Sequence, residues 1–598
     1  MKNKYSLICA LMVLGIIALF IASCGSAPGG TSGFLDTTPT GGTVTQEKDV
    51  DEGDVVKMYG DLIYKLQSDG VTVVKVNKSA METVGFYPFN EDGLMPKELY
   101  VTDSKIVAIY CTALSPRTDF FRYADRESAE IFVTVLEKPE FVFGQNKALG
   151  VCYSLRVKGQ MLSGRLELSG NDLYIASTLS GIRSDSERVF VEYTENGSTK
   201  RSPDFEGLSV QSTPTYPPVV FIRLNIDNLS DNCVIGGLFG ASLKDVYMSG
   251  SSIIPILTEE TRVESESKGC YSYQTFEHNT YAVKLDPVTL KKVDGVCLKD
   301  YTVYDRHAIK DFGDTIYITA TKNDGSGSTV IALDGKRFSL LNKLEKIAPN
   351  EDVKSVAYEE KDGKRFAYVT TFRDVDPLFK IDITNPYAMT AIGYVKITGF
   401  STYMLPVGDR LITVGYDGSG TGADTSKVKI SLYSTTGDDI TLLNVNREIT
   451  DVLYCKALTD PRTIFVFENL FGFDAVIRRP SDKGYCYFHF YYLFAIENDQ
   501  LSLVTSLSNF YGDPQSTTRF YGSVDNFFLR EGVNFVMSEG LKFTFSATRA
   551  RYYDGYLYTV ADGLVCAYPV ERSNGKWEID FFPEKRLFTT LGVDYTNA

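Results

Sequence analysis

The stretch Asn171-Asp172-Leu173-Tyr174-Ile175 carries the pattern that decides the fold: a tight polar turn, a large apolar residue, a tyrosine and a β-branched residue. Related stretches recur at Gly60–Tyr64, Lys97–Val101, Lys244–Met248, Gly313–Tyr317, Lys364–Tyr368, Gly408–Ile412, Asp460–Phe465 and Asp554–Tyr558. Glycine and aspartate supply the backbone freedom that a tight turn between two strands needs. Each copy therefore predicts a hairpin, and their number predicts a repeated architecture.

Most of these hairpins are followed by a further strand of alternating apolar character, such as Val219–Leu224, Leu378–Ile383 and Val428–Tyr433. Small antiparallel units repeated along one chain are typical of a β-propeller, in which only short sheet edges are left. Separate β-sandwich domains would need linkers, and no linker comparable to the N-terminal one follows residue 50. The sequence therefore predicts an all-β, single β-propeller over residues 51–598. We favour eight blades, with the first and last motifs sharing one blade, and leave seven or nine open.

Composition agrees with this fold and excludes some functions. The 598 residues include 38 Tyr and 37 Phe, which belong to the residues enriched in strands. The net charge of −15 opposes a nucleic-acid partner, because contacts with phosphate need a basic surface. Only three histidines occur, His278, His307 and His489. A histidine-rich metal site or a histidine-dependent relay is therefore not expected.

Residues 1–23 have the pattern of a secretory signal. Lys2 and Lys4 precede an apolar run over residues 7–20, which is shorter than the roughly 20 residues that span a bilayer. The sequence Ile21-Ala22-Ser23-Cys24 then resembles a bacterial lipoprotein signal, in which the cysteine is diacylated and becomes the mature N-terminus. An ordinary signal peptide is the alternative. We predict lipid attachment at Cys24, an extracytoplasmic location on the cell membrane or outer membrane, and membrane contact through the lipid alone.

Residues 24–50 are rich in Gly, Thr, Ser and Pro, and we predict that they form a flexible tether behind the lipidated cysteine. The eight cysteines beyond this tether include no C-x-x-C pair, which disfavours a zinc knuckle or a thioredoxin-like redox site. Their even number permits disulfides and leaves the pairing open.

Three regions carry a family resemblance. Val50–Lys57, the phrases between Val353 and Tyr403, and Arg551–Val560 resemble the secreted bacterial and archaeal β-propeller-domain family, which is distantly related to WD-type repeats. The resemblance implies a secreted or surface-anchored propeller, and it implies no established activity or catalytic residue. Where that family continues with Leu-His-Pro, this chain has Met404-Leu405-Pro406, so any role of that histidine is absent here.

Two oxygen-rich stretches leave Ca²⁺ open as the only candidate cofactor. One is the Asp417–Ser426 loop, with Asp417 and Asp424 as its carboxylates, and the other is the acidic cluster of Asp49, Asp51, Glu52 and Asp54. Both lack the full ligand set of a calcium loop. A plain hairpin loop and a solvated acidic turn are the favoured interpretations.

The sequence carries none of the common catalytic motifs. There is no G-x-S-x-G, P-loop or dinucleotide-binding sequence, and Asp374 and Asp376 have the spacing of a turn before Pro377. Paired carboxylates from distant blades remain open, because such pairs form only in space. His489 is interpreted as a strand residue within the aromatic stretch Tyr485–Phe494, which we assign mainly to the core rather than to ligand stacking.

The sequence therefore favours a non-catalytic surface module that grips an extracellular protein, peptide or glycan. Insertions near residues 112–130, 178–216, 250–280 and 506–535 would supply its binding surface. The alternative is a hydrolase or lyase that acts on a polymer at the mouth of the propeller channel. A third possibility, an envelope-assembly factor, would require a large exposed apolar patch.

The anchor assignment makes a direct prediction. Replacing the acylated thiol in Cys24→Ser should release the protein from the membrane or leave its precursor uncleaved, which cell fractionation and the mass of the processed chain would detect. Unchanged attachment and processing would contradict the assignment.

Overall fold

The turn motifs and the strands beside them form nine antiparallel sheets in the described part of the chain. The computed structural model describes residues 43–89, 94–112, 129–179, 188–208, 216–231, 233–268, 271–372, 376–418, 423–481, 484–508, 533–536, 542–545, 549–561, 563–581 and 583–589. Each sheet is one blade, and the blades follow one another in chain order.

The first three blades carry additional strands. Before them comes β1 (Val50–Glu52), which pairs with the inner edge of blade 3. Blade 1 contains β2 (Val56–Tyr59), β3 (Leu62–Gln67), β4 (Gly70–Asn77) and β5 (Ala80–Pro88); blade 2 contains β6 (Leu94–Val101), β7 (Lys105–Thr112), β8 (Glu130–Glu137) and β10 (Val151–Lys158), while β9 (Lys147–Ala148) runs parallel to β5. Blade 3 contains β11 (Gln160–Glu167), β12 (Asp172–Thr178), β16 (Val219–Asn225) and β17 (Val234–Phe239); its insertion sends β13 (Glu192–Glu195) and β14 (Ser198–Arg201) back to blade 2 and places β15 (Glu206–Gly207) beside β17.

The remaining blades are simpler. Blade 4 contains β18 (Ser242–Met248), β19 (Ile253–Lys268), β20 (Tyr271–Leu285) and β21 (Lys292–Lys299); blade 5 contains β22 (Tyr301–Val303), β23 (Ile309–Asp311), β24 (Thr315–Lys322), β25 (Gly327–Asp334) and β26 (Leu340–Ile347); blade 6 contains β27 (Asp352–Lys361), β28 (Lys364–Phe372), β29 (Asp376–Asp382) and β30 (Thr390–Ile397). Blade 7 contains β31 (Phe400–Val407), β32 (Arg410–Gly418), β33 (Ala423–Ser434) and β34 (Thr441–Asn446); blade 8 contains β35 (Val452–Tyr454), β36 (Phe465–Phe467), β37 (Leu470–Ser481), β38 (Gly484–Glu497) and β39 (Gln500–Ser508). A ribbon of β40 (Val533–Val536) and β41 (Lys542–Phe545) precedes blade 9, which contains β42 (Arg549–Tyr553), β43 (Tyr556–Ala561), β44 (Leu564–Ser573), β45 (Lys576–Ile579) and β46 (Lys585–Phe588). The described helical turns are short 3-10 segments at Arg306–Ala308, Lys456–Leu458 and Pro461–Thr463.

The favoured count of eight blades is wrong, and the count is nine. The motif at Gly60–Tyr64 lies in blade 1, whereas the motif at Asp554–Tyr558 lies in blade 9, so each motif copy marks a separate sheet. The mistake came from assuming that the two ends of the chain share a blade, as they do in propellers closed by a shared sheet.

The ring closes instead by packing blade 9 directly against blade 1. Val56, Ile63 and Val76 of blade 1 form one buried cluster with Tyr558 and Val565 of blade 9, together with smaller neighbours. The hydroxyl of Tyr558 donates to the carbonyl of Lys78 at 2.8 Å. The motif tyrosine of blade 5, Tyr317, makes the corresponding bond to the carbonyl of Ile383 in blade 6 at 2.6 Å. Closure therefore repeats the contact that joins consecutive blades.

The propeller has two ends, and the strand order decides at which end each connection lies. The strands of a blade are counted from the innermost outward, and neighbouring strands are antiparallel. The connections from the second to the third strand and from one blade to the next therefore lie at the same end, which we call the insertion face. The three longest connections, from Thr112 to Glu130, Thr178 to Val219 and Ser508 to Arg549, all leave there. The other end, the turn face, carries shorter connections such as the turns after Tyr59, Lys361 and Tyr553.

The closure contact can be tested by Tyr558→Ala. Removing a fully buried aromatic ring from the interface of blades 1 and 9 should lower the free energy of unfolding by about 3–5 kcal/mol. Tyr394, which is 60% exposed on β30, provides the control, and Tyr394→Ala should change stability by about 0.5 kcal/mol or less. Equal effects in denaturant titrations would contradict this closure.

Candidate functional site

The N-terminal segment, residues 43–54, lies inside the ring of blades. Gln46 donates to the carbonyl of Arg306 in blade 5 at 3.0 Å, β1 pairs with β11 of blade 3, and the carbonyl of Asp54 accepts from Leu99 in blade 2. A segment that touches the first strands of blades on different sides of the ring must run through its central channel. Asp49 accepts from the backbone of Gly250, a residue of a first-to-second-strand turn, so this part of the segment lies at the turn face.

This finding corrects part of the tether prediction. Thr43, Val44, Glu47 and Val50 are buried, although composition assigns them to a flexible segment. The prediction was based on the low hydrophobicity of the segment. Its last residues are nevertheless fixed by polar and charged contacts, which composition does not reveal. Residues 1–42, including the predicted signal and Cys24, lie outside the described residues.

Glu52 pairs with arginines from two different blades. Its Oε2 lies 3.0 Å from a terminal nitrogen of Arg306 and 3.2 Å from one of Arg165. Burial alone would raise the pKa of this carboxyl, but the two guanidinium groups outweigh burial and lower the pKa to about 2. Glu52 is therefore a fixed anion that joins blades 3 and 5.

Asp54 joins the N-terminal segment to blade 9 in the same way. The Nε of Arg549 lies 2.9 Å and 3.0 Å from the two carboxylate oxygens, and Arg551 reaches Oδ2 at 3.0 Å. Burial opposes ionisation of Asp54, yet the two arginines dominate and lower its pKa. Lys57 completes the arrangement by donating to Asp51 at 2.5 Å and to Thr43 at 3.0 Å.

Two bulges bring further arginines into the channel. In blade 5, β22 and β23 both pair with β24, so residues 304–308 loop out of the innermost strand and carry Arg306 inward. In blade 8, β35 and β36 both pair with β37, and the intervening bulge carries Arg462. Arg462 donates to the carbonyl of Gly53 at 2.7 Å and to Glu98 at 3.2 Å. It is held by Asp460, whose Oδ1 accepts at 2.8 Å.

Gly53 is required by this close approach. A Cβ at Gly53 would meet the side chain of Glu98 at 2.5 Å, and one at Gly164 would meet the same carboxylate at 2.6 Å. Glu98 in turn accepts from the hydroxyl of Tyr100 at 2.6 Å. The side chain of Glu98 therefore occupies the space that two glycines leave on opposite sides.

The structure separates the acidic cluster that was considered for calcium. Asp51 faces Lys57, Glu52 faces two arginines and Asp54 faces two others, while Asp49 accepts from a backbone amide. The favoured alternative, a solvated acidic turn, is wrong for Asp51, Glu52 and Asp54, all of which are buried. These carboxylates are ion-pair partners.

The second calcium candidate is a hairpin at its described ends. Asp417 pairs with Arg447 at 3.0 Å, and Asp424 accepts from Ser426 and lies 3.1 Å from Lys427. Residues 419–422 lie outside the described residues. Within the ranges that the structure describes, no group of three or more His, Cys, Asp or Glu residues has the geometry to hold a metal ion.

The other candidate residues take structural positions. Asp376 is the first residue of β29, and Asp374 lies outside the described residues. His489 is a buried residue of β38, as interpreted, and its Nε2 lies 2.9 Å from Asp474. Tyr491 and Phe494 are fully buried, in agreement with core packing for this half of the aromatic stretch. The side chains of residues 479–488 are not described.

Cysteines and membrane segments add little to the site. Cys152, Cys233, Cys297, Cys455 and Cys566 are free thiols, and burial raises the pKa of Cys455.

Among the helical segments that are described, none has the length and apolar character required to cross a bilayer.

Sequence reasoning missed the arginines that define the channel. Arg165, Arg306, Arg462, Arg549 and Arg551 come from four blades and lie far apart in the chain. One signal was present: Arg549 and Arg551 flank an alanine at the start of a predicted strand, where alternation would put both on one face. Unless their partner Asp54 is known, two arginines on one face of a strand have the same pattern as a strand that faces solvent.

Comparison with known proteins supports the fold. The sequence profile described as Beta propeller domain matches residues 40–571. An uncharacterized protein of Methanocaldococcus jannaschii is 30% identical over 166 residues, 27% of this chain and 25% of the relative. An uncharacterized protein of Archaeoglobus fulgidus is 28% identical over 114 residues, 19% of this chain and 17% of the relative. The matched regions thus span a quarter or less of each relative.

Solved structures with similar folds are remote. Kluyveromyces lactis Hsv2 has a TM-score of 0.25 at 10% identity, with coverage of 58% of this chain and 99% of its own. A structure from a study of two prolyl endopeptidases has a TM-score of 0.33 at 9% identity, with coverage of 75% and 55% respectively. At these scores the likenesses carry no information about function.

The channel ion pairs predict a pH dependence. Because the pKa of Glu52 is lower in the folded protein than its ordinary 4.5, its stabilisation is complete above pH 4.5 and is lost as the pH falls towards 2. The loss should be on the order of 3 kcal/mol. Glu52→Gln should flatten this slope and lower stability at pH 7 by about 3–5 kcal/mol, because Arg165 and Arg306 lose their anion.

Glu571→Gln, at an exposed position of β44, is the control and should keep the wild-type pH profile. Denaturant titrations between pH 2 and pH 7 measure both effects. An unchanged acid slope in Glu52→Gln would show that this carboxylate is not a buried, paired anion.

Proposed function

Because the chain belongs to the Beta propeller domain family, we propose that it is an extracytoplasmic lipoprotein that binds a protein, peptide or glycan without catalysis. Cys24 carries the lipid, and residues 25–42 link that anchor to the channel segment. The membrane is either the cell membrane or the outer membrane, and the lipid is the sole contact with it. The propeller body presents its binding surface to the extracytoplasmic space.

The observation that supports binding is the unequal distribution of the connections. The three longest connections and the extended β19–β20 hairpin leave from the insertion face, whereas the turn face carries the shorter turns. Binding residues are commonly placed on loops that a rigid scaffold positions. A propeller that concentrates its insertions at one end has the form of a recognition surface.

The β19–β20 hairpin extends from this surface. β18 pairs with β19 only up to Thr258, and β21 pairs with β20 only from Asn279 onward, so residues 259–268 and 271–278 form a two-stranded arm beyond the blade. Ten residues of strand extend this arm by roughly 30 Å. The backbone of the arm is contacted at its base, where Glu260 bonds to the hydroxyl of Tyr216. The described strand edges beyond this point pair with no third strand, so an extended partner segment can add to them.

The hydrolase alternative gains no support from the channel. General acid catalysis by a carboxyl group requires a raised pKa. Burial raises the pKa of Glu47, but this carboxylate is held by Lys310 at 2.6 Å and by the hydroxyl of Tyr247 at 2.9 Å. Arginines lower the pKa of Glu52, Asp54 and Asp460. These carboxylates are occupied by guanidinium groups that hold the fold together. We therefore favour binding over chemistry.

Shortening the arm tests the proposal. Thr258 pairs with Thr280, so replacing residues 259–279 by Asn-Gly leaves a two-residue hairpin in register. The matched control shortens the β44–β45 hairpin at the turn face by replacing residues 571–578 with Asn-Gly between Val570 and Ile579. We expect crosslinking in intact envelopes and a glycan array to detect a discrete ligand of the wild-type protein, lost in the arm variant and kept in the control.

Two outcomes would contradict the proposal. If the arm variant binds the ligand as well as the wild type does, the arm on the insertion face is not the recognition surface. Turnover of a bound polymer would replace a binding role with a catalytic one.

A further inference from the structure

One edge of the β19–β20 arm is open to a further strand. Inside blade 4, β21 pairs with β20 from Asn279 to Leu285, and the carbonyl of His278 accepts from the amide of Asp300 at 2.9 Å. Beyond His278, no described strand pairs with this side of β20, although β20 itself continues to Tyr271. Residues 271–277 therefore form an edge that another strand can join.

The register shows which backbone groups face this edge. In an antiparallel pair, alternate residues direct their N–H and C=O groups away from the partner strand. The carbonyl of His278 is directed away from β19, and the bulge of the arm adds a residue to β19 while β20 stays regular. The N–H and C=O groups of Phe276, Gln274 and Ser272 therefore face the open edge.

The opposite edge of the arm is partly covered. β18 pairs with β19 only up to Thr258, and the hydroxyl of Tyr216 then bonds to both the N–H and the C=O of Glu260, at 3.1 Å each. A strand that joined β19 at this point would have to displace Tyr216. The edge of β20 is therefore the better docking site.

The sequence of the β20 edge lacks the features that commonly protect an edge strand. Proteins blunt such edges with lysine, proline or a short strand. The outer strand of blade 5 carries Lys343 and Lys346, and that of blade 6 carries Lys396. The stretch Tyr271-Ser272-Tyr273-Gln274-Thr275-Phe276-Glu277 has no lysine or proline and is rich in residues that favour strands. It is therefore suited to pairing with another chain.

We propose that the β20 edge binds an extended, basic segment of another extracytoplasmic protein, which adds to blade 4 as a further strand. This inference rests on the proposed binding function and specifies its partner. Residues 259–278 contain five glutamates, one arginine and one lysine, a net charge of −3. Lys299, which lies 3.1 Å from Glu277 at the base of the arm, reduces this charge to −2. A basic segment is attracted to this charge, and an acidic one is repelled.

The register also places the glutamates suitably for a basic strand. Glu264 pairs with Thr275 and Glu266 pairs with Tyr273, so both positions share one face of the arm with Glu277. Every second residue of an added strand lies on this same face. Lysine or arginine at alternate positions of the partner therefore meets opposite charge, whereas a second copy of the arm would bring like charges together.

The test measures the binding of three nine-residue peptides to the full-length protein by fluorescence anisotropy. The first alternates lysine with valine, the second has glutamate in place of lysine, and the third is the lysine peptide with N-methylated backbone amides. The lysine peptide should bind. The glutamate peptide loses the charge attraction and the N-methylated peptide loses its backbone donors, so each should bind at least about tenfold more weakly.

Two substitutions at one position separate the backbone from the side chain. Gln274→Pro removes the central N–H of the open edge, and proline is accepted in edge strands where this group faces solvent. This variant should bind the lysine peptide at least about tenfold more weakly than the wild type does. Gln274→Ala keeps the N–H and should bind as the wild type does. If proline disturbs the arm, the N-methylated peptide tests the same contact on the unaltered protein.

Equal binding of the lysine and glutamate peptides, or of the lysine and N-methylated peptides, would overturn the docking of a basic strand. Self-association of the wild type that Gln274→Pro abolishes would overturn it as well, because a second copy would then occupy the edge. If no peptide binds but the arm variant still loses its envelope ligand, the partner class is wrong and the proposed function stands. If the arm variant keeps that ligand, the proposed function itself fails.

Discussion

Everything else in this propeller depends on the ion pairs between the N-terminal segment and the arginines of the channel. Residues 43–54 run through the centre of the nine blades and contact the first strands of several of them. Buried carboxylates are tolerated only when they are paired, and Glu52 and Asp54 each face two arginines from blades distant in sequence. The segment therefore ties blades 3, 5 and 9 together from within, while the contact of Tyr558 with blade 1 closes the ring from the side. The two ends of the chain share no sheet, so the ring is stabilised by the ion pairs in the channel and by the packing of blade 9 against blade 1.

The repeated hairpins were predictable because a turn and its flanking strands are local in sequence. Each copy of the motif lies in its own sheet, although the copies at Lys97–Val101 and Lys244–Met248 lie within strands and not at turns. The blade number was misjudged because closure is a long-range property that no local pattern encodes. The channel was hidden for the same reason: the stretch around Asp51 and Glu52 looks like an acidic surface turn until Arg165 and Arg306 are placed beside it. Composition likewise assigned Thr43–Val50 to a tether, since it cannot register polar contacts with residues hundreds of positions away.

The arrangement divides the molecule by role. In the channel, arginines lower the pKa of Glu52 and Asp54 and hold both as anions that stabilise the ring. The insertion face carries the longest connections and the β19–β20 arm, and part of the blade 3 insertion also joins the ring, where β13 and β14 extend blade 2. The bulges that carry Arg306 and Arg462 bind the N-terminal segment, since Arg306 pairs with Glu52 and Arg462 donates to the carbonyl of Gly53.

Hydrogen–deuterium exchange of the N-terminal segment tests the central claim most directly. If residues 50–55 are an inner strand locked by ion pairs, their amides should exchange as slowly as those of the innermost blade strands, and Glu52→Gln should accelerate them selectively. The exposed residues Lys48 and Asp49 provide an internal reference for less protected positions. Exchange of residues 50–55 at the rate of an unstructured peptide, with the blades still protected, would contradict the account, because the channel segment would then be an accessory to a ring that closes without it.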